Sequence, residues 1–120
     1  MKRAVLSDLK KTVPPLHYKM VSNVVFPDAR YGRVGLSVLE KGGGAEMHMH
    51  RGSEHYYLML EGALRVTTDK TEIVVRPGEA VLIEDEEPHQ VTNAYDGVTR
   101  YFSITSPPPA GWEPVPGYDR

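Results

Sequence analysis

Residues 42–62 read GGGAEMHMHRGSEHYYLMLEG and hold three of the five histidines of this 120-residue chain, His48, His50 and His55. Side chains two residues apart point to the same face of an extended strand, so the imidazoles of His48 and His50 can converge on one point. His55 follows after Gly52, which permits a turn. Neutral imidazole is the commonest metal ligand among side chains, although a histidine pair alone is a weak signal.

Glycines and a further histidine recur at fixed distances around this pair. The positions concerned are Gly42, Gly62, Gly78, His89 and Asn93. Five residues separate Gly42 from His48, ten separate Gly78 from His89, and three separate His89 from Asn93. These spacings resemble the two sequence motifs of the cupin family, over roughly residues 31–106.

The resemblance implies an all-β fold, a double-stranded β-helix or jelly-roll barrel. Closely spaced turn signals between short apolar runs favour the same architecture. The second motif departs from the family pattern, because Glu84 and Glu86 occupy its proline and inner glycine positions. These two substitutions concern the shape of the turn before His89.

The family's glutamate ligand stands seven positions before the closing glycine, where this chain has His55. Glu54 lies one residue earlier, and a slip of one residue along a strand turns a side chain to the opposite face. The register therefore favours His55, whereas a local bulge would bring Glu54 to the site instead. The resemblance thus implies a metal site made of His48, His50, His55 and His89.

Such a site would hold one divalent ion, and imidazole accepts iron, manganese, nickel, copper and zinc. We expect a metal-dependent oxygenase that acts on a small enolisable carbonyl or phenolic substrate. The alternatives are a non-redox isomerase, cyclase or lyase that uses the ion as a Lewis acid, and a non-catalytic barrel that binds a small molecule.

Three further side chains are candidates for chemistry beside the metal. We expect Glu54 to act as a base if it is not a ligand. Tyr57 shares a strand face with His55 and is a candidate substrate hydrogen-bonder or proton donor. Tyr101 has the same candidate role, although packing in the core with its hydroxyl at the barrel mouth is the more ordinary interpretation.

Composition narrows the class of protein. The net charge of -2 gives no basic footprint for nucleic acid, and the absence of cysteine excludes disulfides and thiolate metal sites. No apolar stretch reaches the length of a membrane span, and Asp8, Lys10 and Lys11 interrupt the basic start of the chain. We therefore expect a cytoplasmic protein whose partner is a small molecule.

Three segments are predicted along the chain: residues 1–30, the barrel at 31–106 and a proline-rich tail at 107–120. Residues 4–12 fit either a short helical turn or an edge strand. Residues 18–26 form a candidate strand for contact with a second subunit, so we expect a homodimer. We interpret residues 42–44 as a flexible connection and His17 as a surface residue.

The tail is too rich in proline for a helix or an inner strand. We expect it to pack over the barrel or a dimer partner with Trp112 as its anchor. A PxxP ligand is the alternative.

Overall fold

The computed structural model describes residues 1–108 and 113–115. A single turn of 3₁₀ helix at Leu6–Asp8 precedes the strands. The strands are β1 (Lys11–Thr12), β2 (His17–Val25), β3 (Arg33–Ala45), β4 (His48–Met49), β5 (Glu54–Glu61), β6 (Leu64–Thr68), β7 (Glu72–Val75), β8 (Ala80–Ile83), β9 (His89–Asn93), β10 (Thr99–Ser106) and β11 (Glu113–Pro114). Residues 4–12 therefore contain both the helical turn and the edge strand that the sequence left open.

The strands of the described residues form one antiparallel sheet in the order β11-β4-β9-β3-β10-β5-β8. Four further pairings lie off this path: β2 pairs with β3 and β1, and β6 pairs with β9 and β7. This is the predicted all-β jelly-roll barrel. The sheet includes β2 and β11, so it extends on both sides of residues 31–106.

Strand register fixes which side chains line the interior. On β5, buried and exposed residues alternate, with His55, Tyr57 and Met59 buried and Glu54 exposed. Because β10 lies between β3 and β5, Thr105 stands opposite both Arg33 and His55. Alternation on a pleated strand thus points one face of β5 into the barrel.

An apolar core fills the interior of the barrel and reaches the histidines through Tyr57. Its buried members are Met20, Leu39, Ala45, Tyr57, Met59, Leu64, Val66, Val75, Ile83, Val91 and Tyr101. Burial of these side chains drives folding, at about 25 cal/mol for each Å² of apolar surface removed from water. The core therefore supports the strands that carry the site above it.

The glycine run at 42–44 is part of β3 and is not the flexible connection that we predicted. Gly43 and Gly44 are buried where neighbouring backbone approaches closely. A β-carbon on Gly44 would collide with the carbonyl oxygen of Val91, and one on Gly43 with that of Lys19. These glycines are required because no side chain fits between the strands.

The described part of the tail lies along the barrel. Strand β11 pairs with β4, with Pro114 opposite His48, and the amide of Val115 donates to the carbonyl of Met47 over 3.4 Å. The expected anchor Trp112 lies outside the described residues. The expected homodimer stays a prediction. Within the described residues, no helix is long and apolar enough to cross a membrane.

The turn before His89 keeps a glycine-like backbone although Glu86 occupies it. Glu86 has φ of 60°, in the left-handed region that glycine adopts readily. Its amide donates to the carbonyl of His50 over 3.0 Å, and its carboxylate pairs with Arg51 at the surface. A non-glycine residue in this conformation is strained by about 1–2 kcal/mol.

Replacing Glu86 tests this strain. We expect Glu86→Gly to have a free energy of unfolding about 0.5–1 kcal/mol higher than Glu86→Ala, after the greater freedom of glycine in the unfolded chain is subtracted. Both variants lack the surface carboxylate, so urea denaturation of the pair isolates the backbone. A glycine variant less stable than the alanine variant would show that the turn does not require left-handed geometry.

Candidate metal centre

Three histidines, two on adjacent strands and one directly after the first of them, meet inside the barrel. His48 begins β4 and stands opposite His89, the first residue of β9. His50 follows directly after β4, and all three side chains are at most 3 % exposed. One ring nitrogen of each lies within 4.8 Å of the others. The predicted convergence of His48, His50 and His89 is therefore observed.

Backbone carbonyls two residues earlier in the chain orient two of these rings. Nδ1 of His48 donates to the carbonyl of Glu46 over 2.6 Å, and Nδ1 of His89 donates to that of Glu87 over 2.9 Å. Because a carbonyl oxygen only accepts, Nδ1 carries the proton and Nε2 carries the lone pair. The Nε2 atoms of His48 and His89 are buried without a hydrogen-bond partner.

Burial also keeps these two rings neutral. Loss of hydration, followed by the proximity of His89, lowers the pKa of His48 to about 2. Loss of hydration lowers the pKa of His89 to about 4, against the opposing effect of its bond to Glu87. Neutral imidazole is the form that ligates metals, so the cluster is ready for an ion near neutral pH.

His55 lies beside this cluster on the inner face of β5. Its ring centroid is 5.1 Å from that of His50 and 5.5 Å from that of His89. Its Nε2 shares a hydrogen bond of 2.5 Å with Oγ of Ser103, and its buried Nδ1 has no hydrogen-bond partner. The structure thus brings three histidines within ligand distance of one another and places the fourth alongside.

Glu54 points away from the site. It is exposed, and its carboxylate accepts a hydrogen bond of 3.2 Å from the hydroxyl of Tyr56 on the outer side of β5. The alternation of β5 runs through His55 without a shift at this point. The structure therefore has the predicted register, with His55 facing inward and Glu54 facing outward. The exposed position of Glu54 does not support a role as base.

His17 belongs to the site, although we interpreted it as a surface residue. Its ring centroid is 5.4 Å from that of His48, and burial lowers its pKa. Pairing of His17 with Ala45, together with a bond of 2.7 Å from the amide of Glu46 to the carbonyl of Leu16, brings it there. Its Nδ1 donates to the carbonyl of Pro15 over 2.6 Å, so, as in His48 and His89, the acceptor is the carbonyl two residues earlier in the chain.

The sequence carried a weak signal for His17. Extending the predicted strand at 18–26 back by one residue would have included His17, which the structure pairs with Ala45. No spacing motif includes it, so only the pairing of β2 with β3 reveals its position.

Two loops hold the segment between His50 and His55 in place. The amide of Gly52 donates to the carboxylate of Asp85 over 2.6 Å, and the amide of Glu86 donates to the carbonyl of His50 over 3.0 Å. The acidic turn at residues 84–87 therefore acts as a brace for the histidine loop, consistent with a structural role for its acids.

A cavity of about 40 Å³ opens beside the histidines. His17, His50, His55, Tyr57 and Tyr101 contribute aromatic rings to its wall. The ring centroid of Tyr57 is 4.6 Å from that of His55 and 5.2 Å from that of Tyr101. Burial raises the pKa of both tyrosines, so their phenols stay protonated at neutral pH.

The residues present fit a divalent metal ion. Lone pairs of buried imidazoles converge, and the unpartnered Nε2 atoms of His48 and His89 are groups that an ion would satisfy. A hydrogen bond from the other ring nitrogen to a carbonyl is the usual support for a ligating histidine. Imidazole nitrogens suit zinc, iron, copper and nickel alike.

Removing a ring from the cluster should remove the metal. We expect His48→Ala, His50→Ala and His89→Ala each to lower metal affinity at least about 100-fold, because loss of even an outer partner of a ligand costs 10–100-fold. Elemental analysis after dialysis against a defined free-metal buffer measures the effect, with circular dichroism to confirm folding.

His17→Ala is the matched control. His17 also bonds a carbonyl two residues earlier, and its ring centroid lies 5.4 Å from that of His48. Its nitrogens do not belong to the cluster whose ligand atoms lie within 4.8 Å of one another. We expect this variant to bind about one ion per chain, the same content that we expect of the wild type. Loss of metal from His17→Ala, or its retention by His48→Ala, would show that these ligands are wrongly assigned.

Acid should destabilise the metal-free protein below about pH 6.5, the ordinary pKa of histidine. Between that pH and the lowered pKa values of His48 and His89, the unfolded chain binds protons that the folded chain does not. The free energy of unfolding therefore decreases as the pH is lowered, by up to about 1.4 kcal/mol per pH unit for each histidine. Urea denaturation in EDTA at pH 7, 6 and 5 measures the slope, and His48→Gln should have a shallower one. Equal slopes would contradict this origin.

Comparison with known proteins identifies the family of this chain. The Cupin_2 family, described as a cupin domain, matches residues 35–105. A search of curated protein sequences found no match to this chain.

Several solved structures share the fold. The polyketide cyclase RemF from Streptomyces resistomycificus superposes with a TM-score of 0.82 at 23% identity, covering 96% of this chain and 85% of that one. Protein TT1209 from Thermus thermophilus gives 0.76 at 28% identity, covering 91% and 100%. A cupin-superfamily sugar phosphate isomerase from Silicibacter pomeroyi gives 0.77 at 18% identity, covering 88% and 75%.

Proposed function

The chain belongs to the cupin family, and we propose that it is a metal-dependent enzyme that rearranges a small enolisable carbonyl compound by proton transfer, without net oxidation. The observation that carries this proposal is the adjacency of two features. A cluster of imidazoles suited to a divalent ion borders a cavity whose wall holds groups able to accept or donate protons.

A divalent ion bound by neutral ligands keeps its full charge and acts as a Lewis acid that polarises a carbonyl oxygen. The cluster consists of His48, His50 and His89, and burial keeps His48 and His89 neutral near pH 7. We extend the proposal to His55 as a fourth ligand. Its unpartnered Nδ1 and the proximity of its ring to those of His50 and His89 support this role.

We assign proton transfer to His17 in place of Glu54. The bond from Nδ1 to Pro15 leaves the lone pair of the neutral ring on Nε2, and the ring lines the cavity. His17 can therefore take a proton from a carbon beside a carbonyl group and return it at another position.

Tyr57 and Tyr101 serve as hydrogen-bond donors to the substrate in this proposal. Because burial raises their pKa values, each phenol keeps its proton and cannot act as a base near pH 7. Tyr57 lies next to His55, whereas the hydroxyl of Tyr101 already bonds Ser37. Tyr57 is thus the better placed of the two to bind a substrate oxygen.

Known chemistry on the same fold is consistent with a reaction of this type. A polyketide cyclase and a sugar phosphate isomerase share the barrel, and both names describe rearrangement without net oxidation. An oxygenase is the second candidate function, because imidazoles also suit iron and copper and the cavity is large enough to admit small molecules.

Hydrogen–deuterium exchange separates these functions. We expect zinc-loaded protein to accelerate anaerobic exchange at the carbon beside the carbonyl groups of acetoacetamide, measured by NMR in D₂O. The rate should exceed that of the metal-free protein by about 100-fold or more, the usual size of general base catalysis. His17→Gln should lower the rate by about the same factor while metal content is unchanged.

Two results would contradict the proposal. Uptake of dioxygen by the Fe(II)-loaded protein with acetoacetamide, without anaerobic exchange in any metal form, would establish the oxygenase. Stoichiometric metal with neither reaction would favour the non-catalytic barrel.

A further inference from the structure

The cavity has a polar rim that runs from His55 to Arg33. Arg33 begins β3 and stands across Thr105 from His55, so these three residues form one row over three adjacent strands. Neighbouring strands are about 4.8 Å apart, which sets the α-carbons of Arg33 and His55 about 10 Å apart. The side chains of all three line the cavity, and that of Arg33 is exposed at its mouth.

The next row inward leaves room for a ligand. It consists of Gly35, Ser103 and Tyr57, again opposite one another on β3, β10 and β5. A β-carbon on Gly35 would stand 2.6 Å from Oγ of Ser22, so a larger residue fits here only if the side chain of Ser22 moves. The glycine leaves space directly beneath Arg33, where a larger residue would fill the cavity.

The lining is rich in hydroxyl groups and has one permanently charged side chain. Ser22, Ser37, Ser103 and Thr105 supply the aliphatic hydroxyls. Arg33 is the charged member among the described residues that line the cavity, which include no carboxylate. Its guanidinium carries five N–H donors, so it can keep contacts within the protein and still bind a carboxylate through two parallel bonds.

We infer that Arg33 is the specificity-determining residue of the site and binds the carboxylate of a small keto-acid anion. This inference rests on the proposed function, because it places the carbonyl group of the same molecule at the histidine cluster. The single positive charge matches a carboxylate, and the distance of about 10 Å across the row matches a short chain between the two groups. The hydroxyls of Ser103 and Thr105 lie between these ends and can bind further oxygens of the anion.

Two probes of equal shape and different charge test the inference. Acetoacetate and acetoacetamide share their ketone group, and a neutral amide in the second replaces the carboxylate of the first. We expect the zinc-loaded wild type to bind acetoacetate at least about 10-fold more tightly in isothermal titration, the usual gain from a charge-assisted pair. Arg33→Met should lower acetoacetate affinity by about the same factor and change acetoacetamide affinity less than about two-fold. Arg33→Lys should give an intermediate value, because a lysine lacks the two-pronged geometry.

Arg100→Met is the matched control. Arg100 lies on β10 at the outer surface, where it pairs with Glu61, and it does not line this cavity. We expect its substitution to leave both affinities unchanged. Equal affinities of the wild type for the two probes would overturn the inference, as would an Arg33→Met variant that binds acetoacetate as tightly as the wild type. Tighter binding of dihydroxyacetone phosphate than of acetoacetate would overturn the choice of a carboxylate.

These binding measurements do not depend on turnover, so the two proposals can fail separately. Binding of acetoacetate through Arg33 without exchange or conversion of any carbonyl compound would contradict the proposed function alone. Metal-dependent exchange of acetoacetamide, combined with equal acetoacetate affinities of the wild type and Arg33→Met, would contradict this inference alone.

Discussion

Burying several imidazoles against one another is the constraint on which this barrel depends. Each ring gives up water, which disfavours its charged form, and each must still satisfy two nitrogens. His48 and His89 satisfy one nitrogen with a carbonyl of their own segment and leave the other facing the cluster. An unsatisfied buried polar atom costs about 1–3 kcal/mol, so the apolar core beneath must hold a site that is unfavourable without an ion.

Strand periodicity explains why much of the site could be predicted from sequence. A strand repeats every two residues, so the separation of His48 from His50 and the choice of His55 over Glu54 follow from position alone. His89 lies far from His48 in the chain and is predicted from motif spacings that resemble those of the cupin family; in the structure it begins β9 and pairs with His48 on β4. The direction of side chains along one strand depends only on adjacent residues and does not require knowledge of the rest of the fold.

Features that depend on distant backbone could not be predicted in this way. The glycines at 42–44 read as a flexible connection because the crowding that requires them comes from residues far along the chain, Lys19 and Val91. His17 reaches the site only through pairing of β2 with β3. Glu86 occupies a glycine position, and its left-handed backbone shows that the turn is maintained by its surroundings and not by the residue itself.

The carbonyl bonds of His48 and His89 have a consequence for how such a protein can diversify. Each bond lies within three consecutive residues, so the metal-facing direction of the ring is inherited as a short, self-contained unit on β4 or β9. The wall of the cavity comes largely from other strands, with Ser22 on β2, Arg33 and Gly35 on β3, and Ser103 on β10. Mutations on one set of strands can therefore change the shape and charge of the cavity, while the orientation of the histidine rings on the other set is retained.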